Sequence, residues 1–401
     1  MTQMNMDNDT GVDRKRRLLI VTTVPGTLTT ILRNQPRFLN NYFSVVLATS
    51  PGRDIEKLRE NEGVETHAVT MCRGINPLSD LVSIFKMILL LRKLSPTIIH
   101  SYTPKAGLVS MLAGWVCRIP VRIHTFTGLI FPTQKGFKQK LLIWVDRLIC
   151  LCATRVVPEG RGVKEDLHRF GITHKELQVI GHGNIAGVDT DYFSPDLPDV
   201  LSHALVLKRQ LSIDNSAFVF CFVGRLNRDK GISELSCAFS GLPDGTHLIL
   251  VGAHDEAAPV DATSMALLQS TPRVHFLGFQ QDIRPALACS DVLILPSYRE
   301  GFPNSILQAG AMRLPVIATD ISGCNEVIEP NVNGWLVKPG SADALSSAML
   351  SSLHLNEMKL KEMGCQARAC IQSRFEQREH LSRMLNFYRN EISTSQASVS
   401  V

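Results

Sequence analysis

The chain alternates short apolar runs with longer stretches of mixed polarity, and it does so over most of its length. Runs at 18–22, 44–48, 66–69, 97–100, 121–124, 155–157 and 177–180 are rich in Val, Ile and Leu and read as buried strands. Between them, apolar positions recur at helical spacing over 35–41, 54–61, 78–94, 106–117, 139–151 and 163–169. A second series opens with the fully apolar 218–223 and continues with strands at 247–251, 273–276, 291–295 and 316–319. Its helices fall at 264–269, 283–288, 306–312, 342–352, 355–369 and 377–391. Strands alternating with helices predict parallel, doubly wound sheets, whose ligands gather at the C-terminal ends of the strands. At 401 residues the chain exceeds what one core usually serves. The fold class is therefore α/β, with two Rossmann-like doubly wound domains facing a central cleft. Glycine-rich 181–189 and turn-forming 194–199 place the boundary. The expected division is a disordered tail at 1–13, domains at 14–190 and 191–375, a helix at 376–391 packing back on the first domain, and a tail at 392–401.

Composition adds a polarity to this picture. Residues 1–190 hold 25 Lys+Arg against 15 Asp+Glu and 191–401 hold 17 against 22, so +10 and −5 sum to the net +5. A basic first half suits a phosphate-bearing or membrane-surface partner, or simply a solvated face. The ten cysteines show no CxxC pair, which fits reduced thiols in a cytoplasmic protein. The polar, acidic start is no signal peptide. The apolar segments 81–94 and 141–157 are interrupted by Lys86 and by Asp146-Arg147, so no transmembrane helix is expected.

Two loops and two strand-end histidines carry candidate chemistry. Pro296 ends the strand 291–295, and the loop 297–303 leads into a helix whose first amides Asn304 or Ser305 can cap. Strand, polar loop and helix start together form an anion site, with Glu300 just before it and Gln308 on the helix. Alone, the stretch is an ordinary capped βα loop. Arg225 and Lys230 sit in one glycine-bounded loop after a buried strand, where two cations can neutralise a diphosphate. His100 and His124 end their short runs, as cleft groups or as satisfied core residues.

These motifs, in this order, resemble the retaining GT-B glycosyltransferases of family 4. The likeness rests on Gly224-Arg225 to Lys230-Gly231, Pro296-Ser297-Tyr298 to Glu300-Gly301-Phe302-Pro303-Asn304, Leu314 to Thr319, and Gly323-Cys324-Asn325-Glu326. His124 to Gly128 and Gly187-Val188-Asp189 to Pro195 extend it into the first half and the linker. Within that family the pattern is similar to enzymes that build bacterial O-antigen and capsule on a lipid carrier. The resemblance implies that Arg225 and Lys230 bind a donor diphosphate together with Asn304 and Ser305. It implies that Glu300, Gly301 and Phe302 hold the transferred sugar and that 276–279 receives the base. Gln308 stands where the family has a second glutamate for the ribose; an amide can still bridge two hydroxyls without charge. His124 and Glu300 would be the catalytic groups, and Gly26, Thr27, His100 and Lys105 would border the acceptor.

No metal or other cofactor is expected. Asp189-Thr190-Asp191 spells the Asp-x-Asp of metal-dependent transferases but lies in the linker motif, where a structural role is expected. The expected partners are a nucleotide-sugar donor, a lipid-linked saccharide and the inner-membrane surface, with no nucleic acid. The segment from Lys135 to Trp144 mixes basic with apolar and aromatic residues. It reads as a contact for an anionic membrane face, at about 1 kcal/mol per cation, or as a core helix with a basic lead-in. Two other functions share the fold: a nucleotide-sugar-binding protein without transfer, and a nucleotide-sugar epimerase.

Overall fold

The computed structural model describes residues 16–397 except positions 53, 73, 75 and 257. The chain divides into two compact units, one made from 1–186 with 378–401 and the other from Gly187–Gln377. The expected tail at 1–13 lies outside the described residues. At the other end the last helix runs on to Ala397, where a tail from 392 was expected.

In the first unit, strands β1 (Arg17–Val21), β2 (Ser44–Thr49), β3 (Glu65–Ala68), β4 (Ile98–Tyr102), β5 (Val121–Phe126) and β6 (Arg155–Pro158) form one parallel sheet in the order β3-β2-β1-β4-β5-β6. The expected strand at 177–180 is reduced to a single bridge, Val156 to Leu177. Helices Pro77–Leu94, Pro104–Val116 and Gly136–Cys152 cover one face through Met87, Leu91, Val109 and Ile149. The C-terminal helix Gln377–Ala397 covers the other, burying Met384, Leu385 and Tyr388 against Leu18, Ile20 and Ile98. Arg155 fixes it through Glu391 at 2.7 Å.

In the second unit, β7 (Phe218–Val223), β8 (Thr246–Val251), β9 (Val274–Gly278), β10 (Val292–Leu295), β11 (Val316–Thr319) and β12 (Gly334–Val337) are again all parallel, in the order β12-β11-β10-β7-β8-β9. Phe220 and Phe222 are fully buried in its core, each worth about 1.5–3 kcal/mol. Three elements escape sequence reading: β12 and the helices Pro198–Gln210 and Ile232–Ser240. The first of these helices starts inside a stretch rich in Pro and Asp, and Pro198 is tolerated at its first position. The linker glycine has a steric reason. Gly187 takes φ 66°, and a Cβ there would stand 2.8 Å from the Gln377 Cα, because Val188 exchanges backbone hydrogen bonds with Phe375 and Gln377.

Candidate active site

Each sheet reverses its strand order once, between β1 and β4 in the first unit and between β7 and β10 in the second. At such a point neighbouring loops diverge to opposite faces and leave a crevice at the strand ends. The loops that carry Arg225 and Lys230, and Glu300, follow β7 and β10.

The β7 loop turns through a short 3₁₀ segment, Arg228–Lys230, capped by the Asn227 side chain on the Lys230 amide at 3.1 Å. Gly231 then takes φ 67° and lies against the β10 loop so closely that a Cβ would be 2.0 Å from the Pro296 carbonyl oxygen. The two loops are further joined by the Tyr298 amide on the Asp229 carbonyl at 2.8 Å and by the Arg299–Asp229 ion pair at 2.6 Å. This close approach brings Lys230 Nζ onto Glu300 Oε1, with the two side chains 19% and 11% exposed. Ser297 donates to the same oxygen at 2.6 Å, so Glu300 Oε2 has no hydrogen-bond partner among the described residues. Arg225 is half-exposed and gives only Nη1 to Asp255. Its Nε/Nη2 edge stays open among the described residues, a fork suited to two phosphate oxygens.

The helix after β10 begins earlier than expected and its start is uncapped. It spans Asn304–Ala311, with Pro303 at the cap position and no side-chain cap. Asn304 and Ser305 are its first two residues rather than caps, so what they can offer an anion is backbone N–H at the positive end of the helix. Gly301 lies beside Gly323, where a Cβ would come 2.3 Å from the Gly301 carbonyl. The Phe302 ring is buried against Phe375, which leaves its backbone as the part a ligand can reach. Gln308 is half-buried in the same helix. At the end of β9, Phe276 stacks with His254 and Phe279 is exposed.

In the first unit the loops after β1 and β4 are tied together by Thr23 and Thr103, whose hydroxyl oxygens are 2.7 Å apart. Thr103 is held at φ 85°, a strained value for a β-branched residue. Gly26 precedes the π-helical turn Thr27–Ile31, its carbonyl accepts from Thr30 at 2.6 Å, and a side chain there would meet open space.

Three expected residues in this unit are placed otherwise. His124 is not at a strand end, because β5 continues through Thr125 and Phe126. It is 0% exposed, hydrogen-bonded to Ser101 at 2.8 Å and set edge-on to Phe126. The helix Pro104–Val116 closes over it at Gly107, where a Cβ would sit 2.4 Å from the imidazole. Burial holds its pKa down to about 3, so it is a neutral histidine enclosed within the unit. His100 is equally buried, bonded to Tyr388 at 2.6 Å and Thr125 at 2.7 Å and stacked on Tyr102. It secures the C-terminal helix from inside the core. Lys105 is paired with both Asp80 oxygens at 2.6 and 2.7 Å, so its charge is already matched inside the unit.

Residues 39–183 match the family described as glycosyl transferase 4-like domain, and 217–354 match glycosyl transferases group 1. The chain is 28% identical over 370 residues to the capsular polysaccharide biosynthesis glycosyltransferase CapM of Staphylococcus aureus, covering 90% of this chain and 94% of that protein. It is 26% identical over 289 residues to the UDP-Gal:alpha-D-GlcNAc-diphosphoundecaprenol alpha-1,3-galactosyltransferase of Escherichia coli, covering 70% and 72%. The chain is a glycosyltransferase, with a glycosyl transferase 4-like domain at 39–183 and a glycosyl transferases group 1 domain at 217–354. Its two six-stranded sheets are those of the GT-B fold, as in HepE of Anabaena solved with UDP and glucose: TM-score 0.79, 21% identity, 94% of this chain and 100% of that one.

Sequence reading of the enzyme missed the groups that hold the site in shape. Ser297, Asp229 and Asp255 carry signals only in hindsight, as polar residues in the same two loops as Lys230 and Glu300 or in the neighbouring loop after β8. In the enzyme, Asp189 accepts from the amides of Asp191 and Tyr192 at 3.1 and 2.9 Å, so its carboxylate closes a turn in the linker.

Proposed function

We propose that the enzyme transfers a sugar, with retention at the anomeric carbon, from a UDP-sugar to a lipid-linked saccharide in bacterial surface-polysaccharide synthesis. It works at the inner face of the membrane, with Gly26 and Thr27 bordering the acceptor. The observation that carries this reading is the meeting of Lys230 with Glu300 at the switch point between β7 and β10. A cation and a carboxylate so placed match the two ends of the bond to be broken. Lys230 and the open edge of Arg225 meet the diphosphate, whose charge grows as it leaves. Glu300 Oε2 accepts from hydroxyls of the sugar, and the amides of Asn304 and Ser305 take a further phosphate or sugar oxygen. Gln308 bridges the ribose hydroxyls.

The reaction breaks the C1–O bond to the β-phosphate and forms a C1–O bond to the acceptor hydroxyl on the same face. The acceptor proton passes to the departing phosphate oxygen, so no separate imidazole base is required. Side chains supply the positive charge, and the reading needs no bound metal. The names of the two relatives, a capsule glycosyltransferase and one acting on a diphosphoundecaprenol-linked sugar, support the acceptor class. The test is incubation with a panel of nucleotide sugars and a membrane extract containing EDTA, followed by mass spectrometry of the lipid fraction. A lipid-linked product one sugar longer is expected. An epimerised nucleotide sugar, or binding without product, would refute transfer.

A further inference from the structure

We infer that the layer of helices Pro77–Leu94, Pro104–Val116 and Gly136–Cys152 is the surface by which the enzyme lies on an anionic lipid bilayer. This rests on the proposed lipid-linked acceptor and specifies how the enzyme meets it. The middle helix packs against both of the others, so the three form one layer over the sheet. Their inner sides fill the core, but their outer sides are apolar as well. On the first helix, Leu78, Leu81, Val82, Phe85 and Leu89 are exposed at one helical stripe. On the third, Phe137, Trp144 and Leu151 recur every seven residues, 80%, 61% and 74% exposed. Trp115 and Val116 end the second.

The charge on this layer is of one sign. Lys86, Lys93, Lys138, Lys140 and Arg147 are exposed. The two acids in the three helices, Asp80 and Asp146, are both buried, and Asp80 is bound to Lys105. A solvated helix face would mix carboxylates with its cations, and a second copy would set like charge against like. Exposed aromatics interleaved with cations instead match the interface of a bilayer with acidic headgroups. None of these helices is long and apolar enough to cross a membrane, so the layer lies on the surface. The helices Pro77–Leu94 and Pro104–Val116 start at the sheet edge where the loops after β1 and β4 emerge, so Leu78 and Leu81 set the bilayer beside those loops.

The test is co-sedimentation of the full chain with vesicles of equimolar phosphatidylglycerol and phosphatidylcholine, against phosphatidylcholine alone. Binding to the acidic vesicles is expected, and added salt weakens it. Lys138→Gln with Lys140→Gln weakens it about thirtyfold, roughly fivefold per cation. Phe85→Ser with Trp144→Ser, at exposed positions that leave the fold intact, abolishes it. The inference is overturned if the wild type ignores acidic vesicles or if the variants bind like it. It is also overturned if Trp144→Ser instead dissolves a dimer. Transfer to a water-soluble short-chain acceptor separates the two readings: it persists in all these variants if only docking is lost. Absence of lipid-linked product from the wild type in the membrane-extract assay would remove the proposed function whatever the vesicles show.

Discussion

Replacing Lys230 by methionine separates the two jobs of its ammonium. The side chain keeps its length and apolar stem, but Glu300 loses its ion-pair partner and retains only the Ser297 hydroxyl at 2.6 Å. Breaking a fully buried pair costs about 3–5 kcal/mol. With 19% and 11% exposure, water relieves part of the charge, and about 1–3 kcal/mol is the expected loss. For a unit of this size that lowers its melting temperature by about 2–4 °C per kcal/mol. Activity falls further, since losing one charged donor to a departing group costs roughly 10²–10³ in turnover. Adding Glu300→Gln removes the stranded charge, so the double variant regains most of the stability and none of the turnover. Thermal denaturation and steady-state kcat/KM with the donor read the two effects separately. The reasoning is refuted if Lys230→Met keeps near-normal kcat/KM, or if the double variant recovers activity along with stability.

Gly231→Ala sets a Cβ 2.0 Å from the Pro296 oxygen at φ 67° and forces the β7 and β10 loops apart. It is expected to lose donor binding and more than about 2 kcal/mol of stability, while Gly26→Ala, which meets nothing within 4 Å, stays within about 0.5 kcal/mol of wild type by urea denaturation. Gln308→Glu is expected to tighten UDP binding several-fold in calorimetry, because a carboxylate is the stronger acceptor for ribose hydroxyls; unchanged affinity would mean that Gln308 does not touch the ribose. The first unit is expected to be acid-sensitive. Burial holds His124 to about 3, His380 to about 4 and His100 well below the usual 6.5, so the unfolded chain binds their protons first and stability, complete above about 6.5, falls with pH below it. Asp146, pushed up to about 7 by burial, works the other way, favouring the fold as it protonates below that pH. Burial also raises Glu62 and Asp166 in this unit, in the same sense as Asp146, and the three imidazoles are expected to prevail near pH 5; urea denaturation that finds equal or greater stability there than near neutrality would contradict it.

The sequence by itself determined the elements that local chemistry dictates. Buried parallel strands are nearly continuous apolar runs, so 18–22, 44–48, 218–223 and 291–295 were legible, and with them the two doubly wound sheets. The placing of Arg225, Lys230 and Glu300 in loops at strand ends was legible too, because glycine and proline bound those loops after apolar runs. Short strands and helices with weak periodicity were not: β12 carries a glycine and a tryptophan, and the helix from Pro198 begins in turn-forming residues.

Tertiary structure alone decided which side chains meet. Lys230 and Glu300 are far apart in sequence, and they touch because β10 lies next to β7 and Gly231 lets their loops close. The same lack of long-range information misplaced the histidines. A short apolar run ending in His looks like a strand end, yet pairing with β6 carries β5 two residues further and the helix at Gly107 seals His124 inside. His100 depends on Tyr388, at the far end of the chain. Nor does periodicity distinguish an apolar stripe facing the core from one facing outward, so the exposed side of Pro77–Leu94 emerged only once its inner side was seen to be filled. Pattern records how much of an element is apolar; only packing settles which neighbour, protein or lipid, that surface meets.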